Sequence, residues 1–250
     1  MALFKSGNPT LTEKMFQKSI TLDRENVMTV RGTLNKFGFL FLMVMASAFF
    51  TWNAFYKGAD VSSYIWGGAI GGLIIAFVII FKQSWSPFLA PAYALAEGLF
   101  LGGISAYFNF AFEKTAPNIV IEAVGLTFGT AIAMFALYSA RIIRATQTLR
   151  SVIITATLGI AIFYLIAFVL RFFSIDIPFI HEGSPLGIIF SLFVVAIAAL
   201  NLILDFDMIE RGQEAGAPKY MEWYGAFGLL VTIVWLYLEI LRLLAKLNRK

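Results

Sequence analysis

Carboxylates occur in this chain where lipid rather than water is the expected surrounding. Asp205 and Asp207 close a run of about twenty apolar residues, and Glu97 and Glu239 stand inside two further apolar runs. An ionisable side chain at membrane depth costs roughly 2.5 to 3.5 kcal/mol on insertion scales, so one that is kept there is by default a functional hypothesis. Carboxylate oxygens suit hard cations such as calcium, and two close carboxylates share protons, so the chemistry open to these groups is cation binding competed by protonation. The alternative is that the sixth apolar run has ended before Asp205 and that both aspartates sit in water at the headgroups.

The remaining charges offer partners. Glu97 lies roughly 15 Å into its segment, near mid-bilayer if that segment is a helix. It is either a protonated acid bonded to a neighbouring carbonyl or hydroxyl, or part of a polar path to which Glu239 would also contribute. Arg171 and Glu239 fall at similar depths, roughly 24 to 29 Å from the inner ends of their segments, so an ion pair between them is open, as is snorkelling of Arg171 to the interface. Lys82, Arg141 and Arg144 lie in connections on the same side as Asp205 and could latch it when it is ionised. His181, the single histidine, sits in a polar loop where solvation is its expected state.

Enzyme chemistry is not declared. There is no HExxH, GxSxG or P-loop, and zero cysteines remove disulfides, thiol catalysis and thiolate metal sites together. Asp205 and Asp207 point about 200° apart on a helix, so they do not form an aspartyl dyad unaided. No cofactor is implied.

Composition identifies the elements that must position these groups. Hydrophobic residues make up 60% of the chain and charged ones 14%, and the mean hydropathy is +0.82, which is the composition of an integral membrane protein. Seven apolar runs approach the length that spans the hydrocarbon: residues 37–56, 64–81, 88–110, 119–140, 152–173, 186–204 and 223–244. Helices satisfy their own backbone in lipid, and the runs lack barrel alternation, so the expected fold is all-α with seven transmembrane helices. Residues 1–36 form a tail with six bases, 37–247 the membrane domain, and 248–250 a basic end.

Lysine and arginine in that tail and in the even-numbered connections number twelve, against five on the other side. This predicts a cytoplasmic N-terminus and, if the last run crosses fully, an external C-terminus. The net charge of +4 then reads as an inner-leaflet signature and not as a nucleic-acid footprint. GxxxG spacings at Gly67, Gly68, Gly71 and Gly72, at Gly98 and Gly102, and at Gly125 and Gly129 predict close helix packing or a dimer seam.

The stretch Leu204 to Glu210, after the sixth of seven apolar segments, resembles the Bax inhibitor family: Asp205 and Ile209 fit its D-x-x-x-I pattern. Ala96 to Gly102 is similar to the family's small-Gly-Leu-x-Leu segment, and the likeness covers about residues 37–247, nearest to a bacterial, YccA-like branch with a longer tail. The resemblance implies a seven-helix bundle with the last helix central and a pH-sensitive calcium leak. It also implies an aspartate pair, one at the end of helix six and one in helix seven, that shares a proton and gates the pore. Asp205 takes the first place and would be the calcium-facing acid. For the second, one alignment nominates Glu239 and another Leu230; Asp207 or Glu97 could stand in.

The leading expectation is therefore a proton-regulated calcium or cation leak in a bacterial inner membrane. The alternative is a non-transporting partner of a membrane protease or stress machinery, handled through its tail. Oligomeric state is left open.

Overall fold

The computed structural model describes residues 27–173 and 183–249, so most of the tail and His181 lie outside the described residues. Within these, seven helices are long and apolar enough to cross a membrane. They are α1 (Val30–Tyr56), α2 (Ser62–Phe81), α3 (Ser86–Ala111), α4 (Ile119–Ser139), α5 (Gln147–Phe172), α6 (Pro185–Glu214) and α7 (Met221–Leu247), with one 3-10 turn, Gln83–Trp85, before α3. The shortest has 20 residues, about 30 Å of helix, which matches the hydrocarbon thickness.

Capping explains where several helices begin. Thr29 accepts from Gly32 N at 2.9 Å, starting α1 seven residues before its apolar run; Thr146 and Ser184 cap α5 and α6 in the same way. α6 continues ten residues beyond Leu204, as far as Glu214. Asp205 and Asp207 are therefore helical residues, not part of a loop.

α7 runs through the middle, packed against α1, α3, α4 and α6. Its buried set mixes core residues such as Leu229, Leu230 and Leu236 with Glu222, Thr232, Glu239 and Lys246. α1 packs on α3 and α3 on α2, while α5 sits at the margin with α6 as its main neighbour. Large apolar side chains such as Phe49, Phe81, Ile132 and Leu165 cover the outer faces, where lipid is their solvent.

The glycine pattern divides. A Cβ on Gly98 or Gly102 would meet the α1 backbone at Val44 or Ala48, and one on Gly68 would meet the α3 backbone at Ala96 and Phe100. Gly67, Gly71, Gly125 and Gly129 have nothing within 4 Å of the same position. The spacing places small residues on one stripe but does not say whether a neighbouring helix lies over it.

Candidate functional site

On α6 the two aspartates diverge, as a helical separation of two residues requires. Asp207 is 9% exposed and its Oδ2 accepts from Arg150 Nη2 of α5 at 2.5 Å and pairs with Arg211 Nε, one turn on, at 2.8 Å. Asp205 faces α7, where Thr232 is its side-chain neighbour. Its Oδ2 is buried with no hydrogen-bond partner among the described residues. One acid is thus held between two guanidiniums, while two residues away the other keeps a bare oxygen inside the bundle.

Of the bases expected to latch Asp205, Arg141 and Lys82 have other partners and Arg144 makes no bond to it. Arg141 binds Glu210 with both terminal nitrogens, one of them at 3.1 Å, and Tyr138 donates to the same carboxylate. That bonding to Glu210 raises the Arg141 guanidinium further above its ordinary value. Arg141 also stands at φ 58°, a left-handed backbone that costs a side-chain-bearing residue about 1 to 3 kcal/mol. Lys82 lies 5.1 Å from the Trp85 ring. Arg144 is exposed, on the rim of a cavity that Asp207 also lines.

Neither further acid joins the aspartates. Glu97 lies at the α2 to α3 contact, where its Oε2 would be 3.2 Å from a Cβ on Gly72 and where Tyr93, one turn back, is its partner. Glu239 is 2% exposed and is bonded by Arg242 at 2.9 Å, by Tyr164 at 3.0 Å and by Trp235 at 3.3 Å. Arg242, one turn away on the same helix, takes the place considered for Arg171, whose side chain is exposed. Glu239 lies seven residues beyond Thr232, about 10 Å along α7, and is thereby set apart from Asp205. Leu230 is buried, and among the described residues no carboxylate of α7 reaches Asp205.

A column that the sequence reading missed runs along α5. Arg150 binds Asp207, Thr157 accepts from Asn201 Nδ2 at 2.8 Å, and Tyr164 meets both Glu239 and Arg242, accepting from the latter at 2.6 Å. These three α5 residues recur every seven positions, with Arg171 next in the series. In an α-helix that spacing keeps them on one face. The signal was in the chain, although the polar residues are too sparse to lift it from the apolar background.

Comparison with known families agrees with this architecture. Residues 8–249 match a family model described as Bax inhibitor 1 like. No curated protein matches the chain.

Proposed function

The chain belongs to the Bax inhibitor 1 like family, and from that premise we propose that it is a pH-sensitive leak for cations, calcium in particular, gated at the cytoplasmic part of α6. It is a membrane-embedded member of that family with a buried acid, Asp207, on its sixth helix. Among the described residues no cluster of three or more acids or histidines could hold a resident metal. Calcium in this reading is cargo.

The observation that carries the proposal is the unpartnered buried oxygen of Asp205. A hard cation prefers such an oxygen, and a proton competes for it. Asp207, tied to Arg150 and Arg211, holds α5 against α6 beside it. The polar column from Asp207 through Asn201 to Glu239 offers oxygen atoms along the same seam. The basic residues Lys36, Arg141, Arg144, Arg150, Arg211 and Lys219 cluster at the Asp207 end, which supports a cytoplasmic placement of that end and of the N-terminus. A bacterial inner membrane is the proposed setting. Calcium uptake by liposomes carrying the purified chain tests the reading: uptake above empty liposomes supports it, and none at any pH removes it.

A second reading is favoured by one feature. Met28 N donates to Ala217 O at 2.7 Å and Thr29 is bonded to Glu222, so the root of the tail is fixed on the α6 to α7 turn. A membrane protease or stress factor seizing the tail would pull on the end that holds the acids. Deleting residues 1–26 leaves that root intact; loss of an associated partner with flux unchanged would favour this reading.

A further inference from the structure

Between the α4 to α5 loop and α6 lies a cavity of about 430 Å³ lined by Tyr138, Arg141, Arg144, Thr146, Asp207 and Arg211. Three of these are arginines, and a fourth, Arg150, is bonded to Asp207 of the lining. Among the described residues two carboxylates answer these four, Asp207 and Glu210. Two positive charges are left over. Arg144 makes no hydrogen bond or ion pair with any described residue, and Arg211 spends its Nε on Asp207. A cation entering this space would meet net positive charge, so the chemistry of the cavity is that of an anion site.

Three further features narrow the anion. Guanidinium forks match the paired oxygens of a phosphate group better than they match a compact halide. The loop holds Arg141 at a left-handed φ of 58°, a conformation that a glycine would adopt without strain but that here keeps an arginine on the cavity wall. Apart from Tyr138, at the end of α4, the lining residues fall just outside the apolar runs ending at Ala140 and Leu204 and beginning at Val152, which is headgroup depth for a basic pocket between transmembrane helices.

We infer that this cavity binds a phosphate group, either the headgroup of an anionic phospholipid or a soluble phosphate. The site shares Asp207 with the leak's polar column, but phosphate binding requires no ion flux and holds or fails independently of it. Arg144 and Arg211 supply the free guanidinium nitrogens, with Tyr138 and Thr146 as hydroxyl partners. Asp207 and Glu210 stay neutralised by the arginines they already engage.

The test uses the full chain with two probes. Inorganic phosphate is titrated calorimetrically against protein in zwitterionic micelles. In parallel, native mass spectrometry counts phosphatidylglycerol retained from nanodiscs of phosphatidylcholine with roughly one-third phosphatidylglycerol. R144E and R144Q change an exposed side chain without partners, and K114E reverses an exposed charge in the α3 to α4 turn as a control. Binding of at least one probe is expected, weakened about tenfold or more by R144E, less by R144Q, and unchanged by K114E. Binding of phosphate itself assigns a soluble source; retention of phosphatidylglycerol alone assigns the bilayer. Binding of neither probe, or binding that R144E leaves at the wild-type level or that K114E weakens as much, overturns the inference.

Discussion

Arg150 of α5 and Asp207 of α6 are joined by a 2.5 Å ion pair in which the carboxylate is nearly buried. The pair ties the marginal helix of the bundle to the helix carrying both candidate gating acids. With Arg211 also on Asp207, loss of Arg150 leaves the acid one partner. R150Q is therefore expected to lower stability by about 1 to 3 kcal/mol, less than the full cost of orphaning a buried charge. The double variant R150Q/D207N is expected to fall within about 0.5 kcal/mol of D207N, because the coupling is already gone. Denaturation of all three in mild detergent checks this, and strictly additive losses would contradict the pairing.

Glu222 is fully buried at the start of α7 and collects Thr29 N at 3.0 Å, Thr29 Oγ1 at 2.9 Å, Lys219 at 2.9 Å and Lys36. It fastens the segment before α1 to the α6 to α7 turn. E222Q weakens the charged bonds and is expected to cost about 2 to 4 kcal/mol. Hydrogen exchange at the Met28 and Thr29 amides is the direct reading: both are expected to lose protection before the helix cores do.

Backbone contact between α1 and α3 can be separated from incidental glycine spacing. G102A drives a methyl group into the Ala48 backbone and is expected to cost about 1 to 3 kcal/mol. G125A meets open space and is expected to be neutral or to stabilise α4 by about 0.5 to 1 kcal/mol, through the entropy of the unfolded chain. Thermal denaturation of the two variants side by side decides it.

One acid outside the helices gives a pH dependence with a definite sign. Asp60 Oδ1 accepts from Ser62 N at 2.9 Å in front of α2, and this bond to the ionised form holds its carboxyl below the ordinary 3.8. A depressed value means that the stabilisation is present above the ordinary range and is lost as pH falls through the folded-state value. The stability difference between wild type and D60A is accordingly expected to be constant at neutral pH and to shrink only in strong acid. A difference that grows on acidification would show that Asp60 acts otherwise.

Much of the fold was legible in the sequence because lipid imposes long apolar runs, and run length alone located the seven helices. Their ends were not, since α1 and α6 extend into polar sequence on caps and ion pairs that hydropathy does not register. For the site, Asp205 and Asp207 stood out by their cost in an apolar run, and their divergence followed from helical geometry. Their partners did not stand out. Arg211 was open to reading at the i, i+4 spacing from Asp207, whereas Arg150 is chosen by the way α5 lies on α6, a tertiary choice among four nearby arginines. Arg242 likewise displaced Arg171 at Glu239 because a partner one turn away needs no second helix to hold it in place. Thr232 opposite Asp205 carries no sequence signal at all, being one hydroxyl in an apolar helix.

The central claim is that Asp205 is the acid at which protons and calcium compete. Calcium uptake into liposomes carrying the purified chain, compared at pH 6, 7 and 8 for wild type and D205N, tests it most directly. Uptake that falls with pH in the wild type, because a neutral acid offers calcium no charge, and that becomes independent of pH in D205N is the predicted result. Wild-type uptake that is equal at the three pH values, or a pH dependence that D205N leaves unchanged, would contradict it.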